Sequence, residues 1–189
     1  STKLEILNDE FGHVHRYNPI EHIKSRIKTS ESIVKKLRKH GHESTIQNMV
    51  RYVNDIAGIR VICSFTSDIY QIAEMIGNQS DIKVISVKDY IVHPKSSGYR
   101  SYHMLVTVPV YLSDRIVDTK VEIQIRTVAM DFWASLEHKI NYKFEGNAPA
   151  YIKNELIECS KMVAELDRRM LSLNDEIQTI NGKQKKFVV

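Results

Sequence analysis

Apolar and polar positions recur with two different periods along the chain, and the change of period marks the predicted elements. In residues 18–40 apolar side chains recur every three or four positions, which is the helical period. Asn18 fits an N-cap, Pro19 fits the first helical position, and Gly41 fits a helix end. We therefore predict a helix over 18–40, with the TSES stretch at 29–32 as the place where it would break in two.

Apolar runs rich in β-branched residues predict strands, and periodic runs between them predict further helices. The predicted strands are 58–65, 82–92, 103–111 and 120–127. The predicted helices are 44–53, 67–78 with Ser67 as N-cap, 127–144, and a last helix that Asn147 and Pro149 open and that continues to 175 or beyond. Residues 1–17 are compatible with a short helix. This order predicts an α+β fold, a mixed β-sheet of about five strands flanked by helices.

The last helix carries a second pattern, which we call the apolar seam. Its members alternate spacings of three and four: Leu156, Cys159, Val163, Leu166, Met170, Leu173, Ile177 and Ile180. This is a heptad pattern, whereas a helix docked on a globular body usually shows a broader stripe. Two interpretations stay open: docking within the chain, or packing against a helix of another subunit.

Length, composition and charge restrict the class of protein. With 189 residues, 42% of them hydrophobic, the chain suits one domain with a helical appendage. Its net charge of +4 favours a polyanionic ligand only where basic residues cluster. Cys63 and Cys159 lack metal-ligand spacing, which is typical of buried free thiols in a reducing cytosol. Because no membrane-span pattern and no signal-peptide pattern occurs, we expect a cytoplasmic protein with no membrane partner.

Two carboxylates are the first chemical candidates. The strand 120–127 alternates strictly, so its polar side chains share one face: Lys120, Glu122, Gln124 and Arg126. This face is either solvent-exposed or the floor of a cleft. Asp55 stands just before the strand 58–65. A carboxylate at a strand edge, together with Glu122 in a neighbouring strand, could hold Mg²⁺, which prefers hard oxygen ligands.

Basic residues cluster around these carboxylates in sequence. Residues 18–40 contain seven Lys/Arg and two acids. Residues 93–103 (HPKSSGYRSYH), which we call the basic-aromatic segment, collect cations and rings without an acid. Its cations could meet phosphates, Tyr99 offers a face for a base, and Gly98 allows close backbone approach. Solvated surfaces are the other interpretation, but cations beside a carboxylate-held metal are what phosphoryl transfer requires.

Five segments occur in the order typical of one family: SRIKTSESIVKK, NDIAGIRVIC, KDYIVHPKSSGYRSYH, VEIQIRT and LEHKINYK. Through these segments, residues 18–144 resemble the synthetase domain of RelA/SpoT-type (p)ppGpp synthetases. The resemblance implies a nucleotidyltransferase-like synthetase domain over 1–145 and a C-terminal helical extension over 146–189 that serves oligomerisation. The His-Asp dyad of the hydrolase domain in long family members does not occur, so we expect a stand-alone small alarmone synthetase.

The resemblance also implies an activity and partners. The family transfers the β,γ-pyrophosphate of ATP to the ribose 3′-OH of GTP or GDP and releases AMP, in the stringent response. The chain is therefore expected to be a Mg²⁺-dependent GTP diphosphokinase without a hydrolase domain. A homotetramer formed through helices is implied and agrees with the apolar seam. The resemblance leaves RNA or the alarmone itself open as a regulator.

The matching motifs imply a role for each site residue. Asp55 and Glu122 are implied as Mg²⁺ ligands, and Glu122 also as the base that accepts the 3′-OH proton. The implied ATP-side residues are Arg26, Lys28, Ser32 and Lys36. The implied acceptor-side residues, with Tyr99 stacked on guanine, are Lys88, Lys95, Ser97, Tyr99, His103, Gln124, Arg126, Glu137 and His138. Two positions depart from the family: Ser97 stands where long members have Asn, and Asp131 where some small synthetases have Asn.

Two other functions remain open at this point. The basic clusters could bind single-stranded nucleic acid, with Asp55 and Glu122 merely structural. A nucleotidyltransferase of another kind would use the same metal and cations but would release pyrophosphate instead of AMP.

Overall fold

The computed structural model describes residues 2–15, 17–144 and 147–185 as a five-stranded sheet with six helices around it. In chain order the elements are α1 (Thr2–His15), β1 (Ile20–Ile27), α2 (Ser30–Lys39), α3 (Ile46–Tyr52), β2 (Ala57–Cys63), α4 (Thr66–Gly77), β3 (Lys83–Asp89), β4 (Tyr102–Tyr111), β5 (Ile116–Thr127), α5 (Val128–Lys143) and α6 (Ala150–Lys185). Within these parts of the chain, no helix is both long and apolar enough to cross a membrane.

The strands lie in the order β1-β2-β5-β4-β3. β2 and β5 run parallel, and the other three neighbouring pairs run antiparallel. The predicted α+β class with a mixed sheet of about five strands is therefore confirmed. The parallel pair places Gly58 opposite Glu122 and Arg60 opposite Gln124, at the centre of the sheet.

The strict alternation in β5 divides the sheet into a core face and a polar face. Val121, Ile123 and Ile125 are at most 7% exposed and belong to the main core. Buried residues of α4 complete this core on the same side of the sheet: Ile69, Ile72, Ala73 and Ile76. The alternation predicted for 120–127 is confirmed, although β5 itself begins earlier, at Ile116.

The helix predicted over 18–40 is wrong in its first half. Residues Ile20–Ile27 form the edge strand β1, which pairs antiparallel with β2. A register irregularity between Ile20 and His22 inserts a bulge. Because a bulge shifts the alternation by one residue, Ile20 and Ile23 both face the core, and their spacing imitates a helix. Ile27, the third member of that pattern, is 81% exposed.

The second half of that prediction is a helix with its own cap. The Thr29 hydroxyl accepts the backbone N–H of Ser32 at 3.3 Å, so α2 begins after Thr29 within the TSES stretch. Ile33 and Leu37 of α2 form a second, smaller core with Val53, the residue that follows α3. This core fixes the segment that leads into Asp55.

Three smaller expectations differ from the structure. Residues 1–17 contain the 14-residue helix α1, longer than the short helix expected. Ser67 does not cap α4, because Asp68 accepts the N–H of the N-cap residue Phe65 at 2.9 Å. Cys63 is buried as expected, but Cys159 is exposed.

Candidate active site

The polar face of the sheet gathers residues from three strands. Glu122 and Gln124 of β5 lie between Gly58 and Arg60 of β2 on one side and β4 on the other. On β4, His103 stands opposite Gln124. The period-two geometry of each strand thus turns separate stretches of sequence into one continuous polar surface.

Asp55 lies between α3 and β2 and is held by two lysines. Its Oδ2 accepts Lys28 Nζ at 2.5 Å, and its Oδ1 accepts Lys36 Nζ at 2.7 Å. Burial alone would raise the pKa of Asp55, but the hydrogen bonds from Lys28 and Lys36 bring it below the ordinary value. The side chain is therefore an ionised carboxylate at neutral pH.

Glu122 is held by its neighbours on the same face. His103 Nδ1 lies 3.3 Å from Oε1, and Gln124 Nε2 donates to Oε2 at 3.1 Å. The hydrogen bond from His103 lowers the pKa of Glu122, more than burial raises it. Asp55 is near enough to oppose this effect, since its negative charge acts to raise the same pKa.

Asp55 and Glu122 line one cavity of about 300 Å³, which we call the carboxylate cavity. The basic side chains that line it are Lys36, Lys88, Lys95 and His103. Two carboxylates that the sequence separates widely are therefore neighbours, and three lysines surround them. This arrangement suits a ligand with several negative charges.

The donor set of this cavity fits a hard divalent cation. Among the described residues, no group of three or more His, Cys, Asp or Glu could hold a metal ion by itself. Mg²⁺ commonly takes one or two protein carboxylates and completes its shell with water and substrate phosphates. Asp55 and Glu122 match that pattern, whereas a structural site with an all-protein ligand cage is not what they form.

The basic-aromatic segment covers one side of the carboxylate cavity. The Tyr99 hydroxyl lies 2.9 Å from His103 Nε2 and accepts Arg126 Nη2 at 2.5 Å. Lys95 Nζ stands 4.8 Å from the ring centres of both Tyr90 and Tyr99. A hydrogen-bonded chain thus runs from Glu122 through His103 to the Tyr99 hydroxyl.

A second cavity of about 300 Å³ shares Glu122 with the first; we call it the arginine cavity. It is lined by Arg26, Gly58, Arg60 and Gln124 as well. A Cβ on Gly58 would lie 3.6 Å from Arg26 Nε, which is an ordinary van der Waals distance, so Arg26 packs directly beside this position of β2. Glu122 therefore stands where two polyanions could meet.

Arg60 is a site residue that the sequence interpretation missed. It lines the arginine cavity and a neighbouring cavity of about 430 Å³ that also contains Arg126, Glu137 and His138. Asp131 Oδ1 forms ion pairs with Arg60 Nη1 at 3.2 Å and with Arg126 Nη1 at 3.1 Å. The signal was available, because Arg60 lies two residues from Gly58 and shares its face of β2.

The structure leaves some predicted site residues away from the carboxylates. Ser32 accepts a hydrogen bond from the Thr29 hydroxyl at 2.9 Å in the first turn of α2, and it lines none of the cavities described above. Ser97 lines a separate cavity of about 520 Å³, together with Glu137, Asn141 and Lys153. The predicted acceptor residues thus divide among four cavities. The carboxylate cavity has Lys88, Lys95 and His103, and the arginine cavity has Gln124. The cavity of about 430 Å³ has Tyr99, Arg126 and His138, and Glu137 lines both that cavity and the one with Ser97.

Comparison with known proteins decides the family. A family model described as a region found in RelA / SpoT proteins matches residues 25–147. The chain belongs to the RelA/SpoT family. It is 48% identical to GTP pyrophosphokinase YwaC of Bacillus subtilis over 176 residues, which are 93% of this chain and 84% of that protein. GTP pyrophosphokinase YjbM of the same organism is 38% identical over 93% of this chain and 82% of its own length.

Solved structures of this RelA/SpoT family match the fold along most of the chain. Small alarmone synthetase 2 from Bacillus subtilis superposes with a TM-score of 0.84 at 46% identity, covering 93% of this chain and 90% of that one. Small alarmone synthetase 1 from the same organism, bound to its product pppGpp, gives 0.86 at 36% identity over 94% and 90%. These matches confirm the resemblance that the five sequence segments indicated.

Proposed function

We propose that this protein is an alarmone synthetase that transfers the β,γ-pyrophosphate of ATP to the 3′-OH of GTP or GDP. The observation that carries the proposal is the position of Glu122, which lines both the carboxylate cavity and the arginine cavity. A carboxylate at that position can act on a pyrophosphate group that is transferred from one bound nucleotide to the other. The relatives named as GTP pyrophosphokinases support the same conclusion.

Glu122 is the base of the proposed reaction. Its lowered pKa keeps it ionised at neutral pH, so it can accept the proton of the 3′-OH. The 3′-oxygen then forms a bond to the β-phosphorus of ATP as the bond between that phosphorus and the α–β bridging oxygen breaks. AMP leaves with the bridging oxygen, and no covalent enzyme intermediate is needed.

The ATP side of the site is assigned to the arginine cavity and α2. Arg26 and Arg60 supply two guanidinium groups on that cavity, and Lys36 adds an ammonium group on the carboxylate cavity. Lys28 completes the clamp on Asp55. Ser32 keeps its place as a proposed ATP-side residue only through the family motif, since its hydroxyl is engaged within α2.

The acceptor side is assigned to the basic-aromatic segment. Tyr99 would stack on guanine, and Lys88, Lys95 and His103 would hold phosphates or ribose around the carboxylate cavity. From β5, Gln124 donates to Glu122 and Arg126 donates to the Tyr99 hydroxyl, and Arg126 also donates to Gln124. Glu137 and His138, on α5, would face the guanine edge from the neighbouring cavity.

Mg²⁺ is the cofactor that we propose, with Asp55 and Glu122 as its protein ligands. When bound, Mg²⁺ would reduce the repulsion between the two polyphosphates. Without it, each pair of like charges about 4 Å apart would raise the energy of the bound state by several kcal/mol. Lys28 and Lys36 hold Asp55 in its ionised form and fix its direction toward the cavity. His103 and Gln124 do the same for Glu122.

We further propose that the protein assembles as a homotetramer through helices. In the apolar seam of α6, Leu166 and Leu173 are each 52% exposed. The buried positions of the same helix, Ser160 and Asp167, border the seam, each about 100° round the helix from the seam residue before it. A solvent-exposed heptad seam is typical of a helix that packs against another copy.

A single product assay tests the proposed activity. Purified protein is incubated with ATP, Mg²⁺ and either GTP or GDP, and the nucleotides are separated by anion-exchange chromatography. We expect equal amounts of AMP and guanosine penta- or tetraphosphate. Release of pyrophosphate instead would indicate another nucleotidyltransferase. Tight binding of single-stranded RNA without any product would favour the nucleic-acid module.

A further inference from the structure

The helix α6 packs closely against Gly98 of the basic-aromatic segment. Ser160, which is 3% exposed, donates its hydroxyl to the carbonyl of Gly98. A Cβ on Gly98 would lie 2.9 Å from Ser160 Cβ and 3.4 Å from Ile157 Cα. Gly98 also has a φ of 89°, which only glycine adopts without strain. Both the backbone shape and the helix contact therefore require glycine here.

This contact controls the direction in which the chain enters Tyr99. The carbonyl of Gly98 and the amide of Tyr99 form one planar peptide unit. A hydrogen bond that fixes the carbonyl therefore fixes the plane from which the Tyr99 side chain leaves. Within the segment, the turn is closed by Gly98 N to Lys95 O at 2.8 Å and Lys95 N to Tyr99 O at 3.2 Å. Ser160 ties the backbone of this turn to α6.

A second polar contact docks the same face of α6 beside the site. Asp167 is two helical turns from Ser160 and accepts the Thr127 hydroxyl at 2.8 Å. Thr127 caps α5, since it also accepts Met130 N–H at 3.1 Å, and it directly follows Arg126 in β5. These two hydrogen bonds thus fix α6 against both the segment that carries Tyr99 and the strand that carries Arg126.

We propose that Ser160 is a positioning residue for the acceptor nucleotide, which makes α6 part of the synthetase site. The proposal rests on the proposed function, and it assigns a role to a residue beyond position 147, where the family match ends. Ser160 does not touch substrate. It acts through Gly98 by holding the Tyr99 ring at the acceptor position.

The test is Ser160→Ala, which removes the hydroxyl and keeps the Cβ that packs on Gly98. We expect the KM for GTP to rise roughly tenfold, because a buried carbonyl loses its donor and the segment relaxes. We expect the KM for ATP to stay within about twofold, since the ATP side does not depend on this contact. The matched control is Ser172→Ala, an exposed serine on the same helix, which should change neither KM.

Hydrogen exchange provides a second test that does not depend on catalytic turnover. Hydrogen exchange of the 93–103 peptide should be faster in Ser160→Ala than in the wild type, while the 120–127 peptide stays unchanged. Equal rises in both KM values together with a lowered melting temperature would assign Ser160 a merely structural role and overturn the proposal. Unchanged kinetics and exchange would overturn it as well.

The two proposals fail in different ways. If the wild type makes no guanosine penta- or tetraphosphate, the proposed function fails. If the wild type is active but Ser160→Ala shows no difference between the two substrates, only the positioning role fails.

Discussion

His103 Nδ1 and Glu122 Oε1 lie 3.3 Å apart on adjoining strands of the polar face. Arg126 has donors only, so its bond to the Tyr99 oxygen leaves the tyrosine proton free to point at His103 Nε2. With Nε2 as acceptor, neutral His103 carries its proton on Nδ1 and donates it to the Glu122 carboxylate. The proposed base and the proposed stacking ring therefore belong to one hydrogen-bonded chain.

The carboxylate variants test this arrangement first. In Glu122→Gln the amide keeps the shape but cannot accept the 3′-OH proton, so we expect kcat to fall by at least about 10²-fold. Asp55→Asn should also abolish synthesis, because a proposed metal ligand is lost. Circular dichroism should show an unchanged fold in both variants. The control Glu155→Gln, at an exposed position of α6, should keep full activity; near-normal turnover in Glu122→Gln would remove its role as base.

Acidification should remove the stability that the Asp55 clamp contributes. The pKa of Asp55 is lowered in the folded state, so its contribution is present above the unfolded value of about 3.9 and is lost as the pH falls through the folded pKa. We therefore expect wild type to be more stable than Asp55→Asn at pH 7 and the difference to shrink below pH 4. Urea unfolding of both proteins at several pH values measures this. A difference that stays constant with pH would mean that the charge of Asp55 does not stabilise the fold.

Tyr99 should contribute to acceptor binding through its ring more than through its hydroxyl. Tyr99→Ala removes a stacking surface worth about 1–3 kcal/mol per base, so the KM for GTP should rise about 5- to 150-fold while the KM for ATP changes little. Tyr99→Phe keeps the ring and loses the bonds to His103 and Arg126. We expect this variant to retain most acceptor affinity. Initial-rate kinetics with each substrate varied in turn decide the point, and an unchanged KM for GTP in Tyr99→Ala would contradict stacking.

The apolar seam should determine the oligomeric state. Leu166 and Leu173 are exposed in a single chain, so Leu166→Glu combined with Leu173→Glu should leave the subunit folded and dissociate the assembly. Size-exclusion chromatography with light scattering gives the mass before and after the change. Ser172→Glu adds a charge to an exposed position outside the seam and should leave the mass unchanged. A wild type that is already monomeric at micromolar concentration would refute the assembly.

The order and type of most elements followed from local pattern, because alternation and helical period are properties of neighbouring residues. β5 shows this most clearly, since its apolar side chains are buried where the alternation placed them. The first half of 18–40 shows the limit. A bulged edge strand gave Ile20 and Ile23 the spacing of a helix, and only pairing with β2 decided between the two.

By itself the sequence determined the chemistry available: two separated carboxylates, a basic stretch, a basic-aromatic segment, and the motif order of the RelA/SpoT family. Tertiary structure decided which of these groups meet. Sheet pairing brought Glu122 beside His103 and opposite Gly58, and it brought in Arg60, which no motif had singled out. It also decided which face of α6 is buried and that Ser160 meets Gly98. Such contacts join residues far apart in the chain, so their geometry depends on packing that no local pattern encodes.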